Sequence, residues 1–270
     1  MAPRLHANEA ALGHLENLRR AEMESIRGWF RAGMAVLEVG GGSGFQAQII
    51  SSWGCEVSSI DIAASDDKTQ RYHPVHTYDG LAIPFADGTF ERVYSSNVLE
   101  HVVNLPRMLK EISRVVKPEG IVIHVLPTSS WRFWTSLTHY AAMAKYALGK
   151  IGITNSSSTL PSLNEYVANR GWLTVCKRVL FDGPHGEYPN ALYELYAYCK
   201  SRWLRVFEES GFEIIHCYNN ELFYTGYGII PGLALNHRRR LARYLGSAAR
   251  VYVMCKRTNA HSLKCQKSCS

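Results

Sequence analysis

Four glycines fall within the seven residues EVGGGSG, Glu38 to Gly44, directly after the apolar run Met34-Ala35-Val36-Leu37. Glycine loses more backbone freedom on folding than any other residue. Such a run is kept where the chain must turn tightly or where something must approach the backbone closely. The apolar run reads as a buried strand and the following FQAQIISSW as a helix. A strand, a glycine turn and a helix in that order put a ligand at the carboxyl end of the strand.

The segments around this unit repeat its rhythm. MAVLEV, CEVSSIDI, VHTYD, RVYSSN and GIVIHVL read as strands, separated by helical stretches such as LPRMLKEISRVV, which Pro118-Glu119-Gly120 should stop. Alternation of this kind predicts an α/β fold, a parallel sheet covered by helices. Residues from about Asn8 to Arg31 read as a leading helix, with Leu12, Leu15, Leu18, Met23, Ile26 and Phe30 near a 3.6 period. After Leu126 the rhythm breaks for roughly eighty residues and returns in FEESGFEIIHCY and ARVYVMCKR, both read as strands.

Composition bounds the class. The 270 residues, 46% of them hydrophobic, suffice for one substantial domain with an elaboration. The start lacks an apolar signal region, and no uninterrupted apolar stretch reaches the length of a membrane span. The seven cysteines are odd in number and scattered, as expected of reduced thiols, and Cys265 and Cys269 have no histidine at a zinc-ligand spacing. These features predict a cytoplasmic chain. Its net charge of +7 arises after Ser201, where eleven Lys/Arg face four Asp/Glu (11 − 4 = +7). That basic half is either a solvated surface or an attraction for an anionic partner, including peripheral contact with an anionic membrane.

Asp61 ends the second strand 21 residues after Gly40, where a carboxylate can accept hydrogen bonds from both hydroxyls of a ribose. An adenosine-containing cofactor follows. A nicotinamide turn would read G-x-G-x-x-G, yet Phe45 stands where the third glycine belongs, and Tyr140 lacks a lysine four residues on.

VLEVGGGSG resembles the acid-x-G-x-G-x-G motif of class I S-adenosylmethionine-dependent methyltransferases, and SSIDI resembles their second motif, with Asp61 the ribose acid and Ile62 beside it. YDGLAIPFADGTFERVYSSNVLEHV is similar to strands three and four of the type 11 methyltransferase subgroup, and LKEISRVVKPEGIVIHV to the helix and strand that follow. The resemblance implies a Rossmann-like, seven-stranded, mostly parallel sheet with an antiparallel last strand and a helical cap between strands five and six. It implies S-adenosylmethionine as cofactor. Gly40, Gly42 and Gly44 would admit the methionine end, with Glu38 near its ammonium; Asp79 and Gly80 would meet the adenine, and Ser96 and Asn97 the methionine moiety. The expected units are 1–127 with 206–258 as the cofactor-binding domain, 128–205 as the cap, and 259–270 as a flexible basic tail.

Methyl transfer to oxygen calls for a base. His101 of LEHV is one candidate. His185, in DGPHGEYPNALYELYAYCKSRW ahead of Tyr193, Glu194 and Trp203, is the second, whereas His124 in mid-strand reads as a core histidine. Glu100-His101 resembles part of an E-x-x-E-H metal site, but Asn97 replaces the first glutamate, so metal-independent activity is expected. WRFWTSLTHYAAMAKYALGK aligns Phe133, Trp134, Leu137, Tyr140, Ala141, Ala144 and Leu148 on one helical stripe, either a lid packed on the core or the wall of an apolar acceptor site. No nucleic-acid module is spelled out. The expected function is methyl transfer to a small-molecule, glycan-precursor or lipid-linked acceptor, with oxygen the preferred accepting atom. The alternatives are a noncatalytic cofactor-binding protein and aminopropyl transfer, the latter disfavoured by LEHV.

Overall fold

The computed structural model of the chain describes residues 16–62, 72–150, 183–226 and 233–257, with the side chains of 144–150 excepted. The first part of the leading helix, residues 151–182 of the expected cap, and the basic tail lie outside these residues.

One sheet organises the molecule. Its strands are β1 (Ala35–Val39), β2 (Glu56–Ile62), β3 (Val75–Tyr78), β4 (Phe90–Ser96), β5 (Val116–Pro127), β6 (Phe212–Asn219) and β7 (Ala249–Lys256). They lie in the order β3-β2-β1-β4-β5-β7-β6. The pairs among the first five are parallel, whereas β7 runs antiparallel to both neighbours. The expected seven-stranded, mostly parallel sheet is therefore present.

Strands covered on both faces need apolar side chains on both. In β5, Val122 and Leu126 join Leu109, Ile112, Trp203 and Phe207 on one face. Ile123 and Val125 join Met23, Ile26, Ile49 and Ile50 on the other. Each such side chain, fully buried, contributes about 1.5–3 kcal/mol. His124 points to the first face, stacked at 5.6 Å on Phe207, with its Nδ1 2.7 Å from Ser95 Oγ.

The helix of residues 16–26 (α1) and α2 (Phe45–Ser52) cover the second face; α3 (Leu105–Val115) covers the first. Asn104 caps α3 by accepting from the Arg107 N–H at 3.2 Å, and Met108, Leu109, Ile112 and Val115 form its buried stripe. The remaining helices are α4 (Ser129–Lys150), α5 (Ala191–Ala197), α6 (Lys200–Glu209), which adds Trp203 and Phe207 to the first face, and α7 (Leu235–Leu245). No helix among the described residues is long and apolar enough to cross a membrane.

Three local readings change. The α3 helix already ends at Val115, and Pro118-Glu119-Gly120 bulges out of β5: Phe90 pairs with Val116, but Arg92 pairs with Ile121. The FEES of FEESGFEIIHCY is helical, because Trp203 and Phe207, four apart, bury one face of α6 before Gly211 (φ 85°) ends the turn. This helix crosses the 205/206 boundary expected between cap and sheet. In α4, Phe133, Leu137 and Tyr140 of the stripe face outward, each 51% exposed, whereas Trp134 is half-buried and donates from Nε1 to the Leu245 carbonyl at 2.8 Å. The buried face is Trp131, Arg132, Thr135 and His139.

Candidate functional site

The chain leaves β1 for β2 and β3 on one side, then returns to β4 on the other. That reversal of strand order opens a crevice at the carboxyl ends of β1 and β4. The glycine turn closes it from one side. Gly40 and Gly41 donate to the Ile60 carbonyl at 2.8 and 3.1 Å, and Gly44 donates to the Gly41 carbonyl at 2.7 Å. Gly40, Gly42 and Gly44 have φ of 79°, 52° and 78°, left-handed values that side chains resist. A Cβ on Gly40 would lie 2.3 Å from Val98 Cγ2, whereas one on Gly42 would meet nothing within 4 Å.

The resulting cleft holds ≈520 Å³, within the range of small-molecule sites. Asp61, Ile62, Asp79, Gly80, Asn97 and His101 line it together with Gly40. Asp61 is held in place before any ligand arrives: its Oδ2 accepts from the Gly42 N–H and its Oδ1 from the Ile62 N–H, both at 2.7 Å. Asp79 Oδ1 accepts from the N–H groups of Leu81 (2.8 Å) and Ala82 (3.0 Å). The Ala82 and Leu81 N–H groups hold its carboxyl below the ordinary range.

Glu38, Gly42, Gly44 and Ser96 do not line the cleft directly. Glu38 is buried beneath the glycine turn, where its Oε2 accepts from Ser59 Oγ at 2.6 Å and its Oε1 has no hydrogen bond. Burial pushes this carboxyl up to about 7, against the Ser59 hydrogen bond that lowers it. Gly44 is the N-cap of α2.

Asn97 departs from ordinary backbone geometry at φ 53°, a conformation asparagine tolerates. Its amide is assigned with the oxygen toward Arg19, since the reverse would set its nitrogen against the guanidinium. So placed, the oxygen accepts from Arg19 at 2.7 and 3.2 Å and from Ser96 Oγ at 3.0 Å. Arg19 comes from α1 and pairs at 2.7 Å with Glu22, a buried carboxylate that also accepts from Asn220 (2.9 Å) and Tyr224 (2.6 Å). Sequence reasoning missed this network. Its one local signal is the three-residue spacing of Arg19 and Glu22, common on solvated helix faces.

The two histidine candidates meet. His101 ends a short 3-10 turn, Leu99–His101, and its ring centroid lies 4.9 Å from that of His185. Trp131 packs against His185 from the other side at 4.7 Å. Burial lowers the His101 imidazole below its usual value, although Glu187 and Glu194 raise it. The loop that carries His185 is fastened by its backbone. His185 and Gly186 donate to Glu194 Oε1, both at 2.6 Å, and Glu187 donates to the Glu100 carbonyl at 2.9 Å. A side chain at Gly186 would sit 2.4 Å from that carbonyl. Glu194 is buried and paired at 2.8 Å with Arg132, whose guanidinium also donates to the Gly183 carbonyl at 2.7 Å. The sequence pointed to Glu194 but not to Arg132, its partner from α4.

Comparison with known proteins agrees with this geometry. A family model described as a methyltransferase domain matches residues 12–177, more than half of the chain. An uncharacterized methyltransferase of Mycobacterium sp. (strain KMS) is 32% identical over 130 residues, covering 43% of this chain and 48% of the relative. Another, of Mycolicibacterium vanbaalenii, is 25% identical over 186 residues and covers 67% of this chain and 64% of its own. The chain thus spans about half to two thirds of the length of these curated relatives. A solved S-adenosylmethionine-dependent methyltransferase from Mesorhizobium loti shares the fold, with a TM-score of 0.52 at 16% identity, over 87% of this chain and 98% of that one. That protein is named for S-adenosylmethionine, and the residues here fit that group. A carboxylate already oriented by two N–H groups suits a ribose diol, and the unsatisfied Glu38 Oε1 suits the pole of an ammonium. The chain belongs to the methyltransferase domain family.

Proposed function

We propose that the chain transfers a methyl group from S-adenosylmethionine to a small-molecule, glycan-precursor or lipid-linked acceptor, with oxygen the accepting atom. The observation that carries this reading is the convergence of Asp61, Asp79, Asn97 and His101 on one cleft at the strand-order reversal. Bound there, the cofactor supplies a methyl group activated on a sulfonium sulfur. Asp61 accepts from the ribose hydroxyls, Asp79 and the Gly80 backbone meet the adenine edge, and Ile62 is its apolar wall. Gly40, Gly42 and Gly44 leave room for the methionine end, with Glu38 beneath, and Ser96 and Asn97 beside it. The chemistry left to the protein is alignment and, for an oxygen acceptor, removal of a proton. His101 and His185 stand where an acceptor would enter, and a depressed imidazole pKa keeps His101 able to take a proton at neutral pH. Residues 128–205 form the acceptor side in this reading, and the outward apolar stripe of α4 favours an apolar or lipid-linked acceptor.

Calorimetry with S-adenosylmethionine and S-adenosylhomocysteine tests the reading. Wild type should bind both in the micromolar range, and Asp61→Ala should bind about ten- to hundredfold more weakly. A folded wild type that binds neither would overturn it. Binding with no S-adenosylhomocysteine formed across panels of hydroxylated small molecules, glycan precursors and lipids would leave a cofactor-binding protein without transfer.

A further inference from the structure

Beside the cleft lies a second arrangement with its own chemistry. Glu100 is 1% exposed, and neither of its carboxylate oxygens has a hydrogen bond. A buried carboxylate without partners is costly and must be neutralised, by a proton or by a cation held against it. Two imidazoles face the same spot. One donor atom each from Glu100, His101 and His185 lie within 4.8 Å of one another, and His101 Nε2 is 4.0 Å from Glu100 Oε1.

We propose that Glu100, His101 and His185 bind a divalent transition-metal ion, with the side toward the cofactor cleft left open. One carboxylate and two imidazoles are a donor set suited to ions such as Zn²⁺, Co²⁺ or Mn²⁺ rather than to Ca²⁺, which takes oxygen ligands. A bound ion would draw these donors to about 2.0–2.2 Å from it. Three protein ligands with one side open are the pattern of a catalytic rather than a structural site. Both histidines are exposed while Glu100 is buried, so an ion would be anchored from below and reached from solvent. The His185 loop is set independently of any ion, through Glu194 and through the Glu100 carbonyl. The proposal runs against the expectation of metal independence, which counted only ligands close in sequence. Asn97, in place of the first acid, is turned to Arg19 instead, and the third ligand comes from a loop 84 residues beyond His101. On the methyl-transfer reading, the open side would take an acceptor oxygen, with the ion in place of a free His101 imidazole as what eases loss of its proton; the binding of the ion itself does not depend on that reading.

The test uses the untagged full chain, stripped with chelator and titrated with Co²⁺ and Zn²⁺. Calorimetry should show one equivalent bound, and Co²⁺ should give the visible absorption of a low-coordinate nitrogen and oxygen site. His185→Ala and His101→Ala, each checked for folding by circular dichroism and thermal melting, should weaken Co²⁺ binding at least a hundredfold. Absence of stoichiometric binding in wild type would overturn the proposal. So would binding that survives His185→Ala, or that is lost in a Cys265→Ser/Cys269→Ser variant instead. S-adenosylmethionine calorimetry on the stripped wild type separates the two ideas, since cofactor binding without metal binding sinks only this one.

Discussion

In the proposed reading the cleft has a cofactor side and an acceptor side, and they are built by different means. On the cofactor side, Gly40 to Gly44, Asp61 and Asp79 follow directly from the ends of β1, β2 and β3, and their contacts are mostly to backbone: Gly42 to Asp61, Leu81 and Ala82 to Asp79. On the acceptor side, His185 reaches His101 only because Glu194 of α5 pairs with Arg132 of α4 and accepts two N–H groups from the His185 loop. On the cofactor side Asn97 is the exception, since it meets α1 through Arg19, which Glu22 gathers with Asn220 and Tyr224. Parallel-strand geometry can fix a ligand pocket with turns and one carboxylate per strand. A surface over the pocket needs buried charges from distant elements, and those charges make it breakable at single points.

The largest effect should come from Glu194→Ala. Removing one partner of a buried ion pair costs about 3–5 kcal/mol, and here the Arg132 guanidinium loses its counter-ion while the N–H groups of His185 and Gly186 lose their acceptor. Denaturant unfolding should register that loss. If the two sides are separate, S-adenosylmethionine affinity in the residual folded protein should change less than threefold; a collapse of cofactor affinity would break the distinction.

Within the cofactor side, alanine at two glycines should separate strain from collision. Gly40→Ala adds a left-handed side chain and drives Val98 out of the cleft wall, so it should weaken cofactor binding about tenfold or more by calorimetry. Gly42→Ala carries only the backbone strain, about 1–2 kcal/mol, because its Cβ points into open space. Equal stability losses in the two variants would mean that the Val98 contact is unimportant. A larger affinity loss at Gly42 would place the ligand closer to that residue than the wall suggests.

The smallest effect per pH unit is a stability slope. Burial holds the Glu38 carboxyl near 7, against 4.5 when exposed. Between those values the folded chain keeps a proton that the unfolded chain has lost, so stability falls as pH rises, by at most about 1.4 kcal/mol per unit. Burial drives His124 the opposite way, down to about 3 from 6.5, so its contribution is lost as pH falls below 6.5. The quantity to measure is therefore the difference between wild type and Glu38→Gln. It should change with pH between about 4.5 and 7 and be flat above that range; a flat difference throughout would mean that Glu38 ionises freely beneath the glycine turn.

The sequence by itself determined the cofactor side. Alternating apolar runs announce a parallel sheet, and the glycines are readable because left-handed backbone at a strand end leaves few other residues. Asp61 is readable because it follows within one strand–helix–strand unit. Even His101 and His185 could be singled out, one by its place after β4 and the other by the turn around it. The sequence could not show that they touch, because a ring contact across 84 residues leaves no periodicity. Of its two readings for α4, a lid packed on the core does not fit the exposed Phe133, Leu137 and Tyr140; the buried face carries Arg132 and His139, ordinarily surface residues, and the Glu194 carboxylate from α5 helps make burial of Arg132 tolerable. Local steric demands are written into neighbouring residues. Pairing of buried charges depends on which elements pack together, and only the tertiary structure decided that.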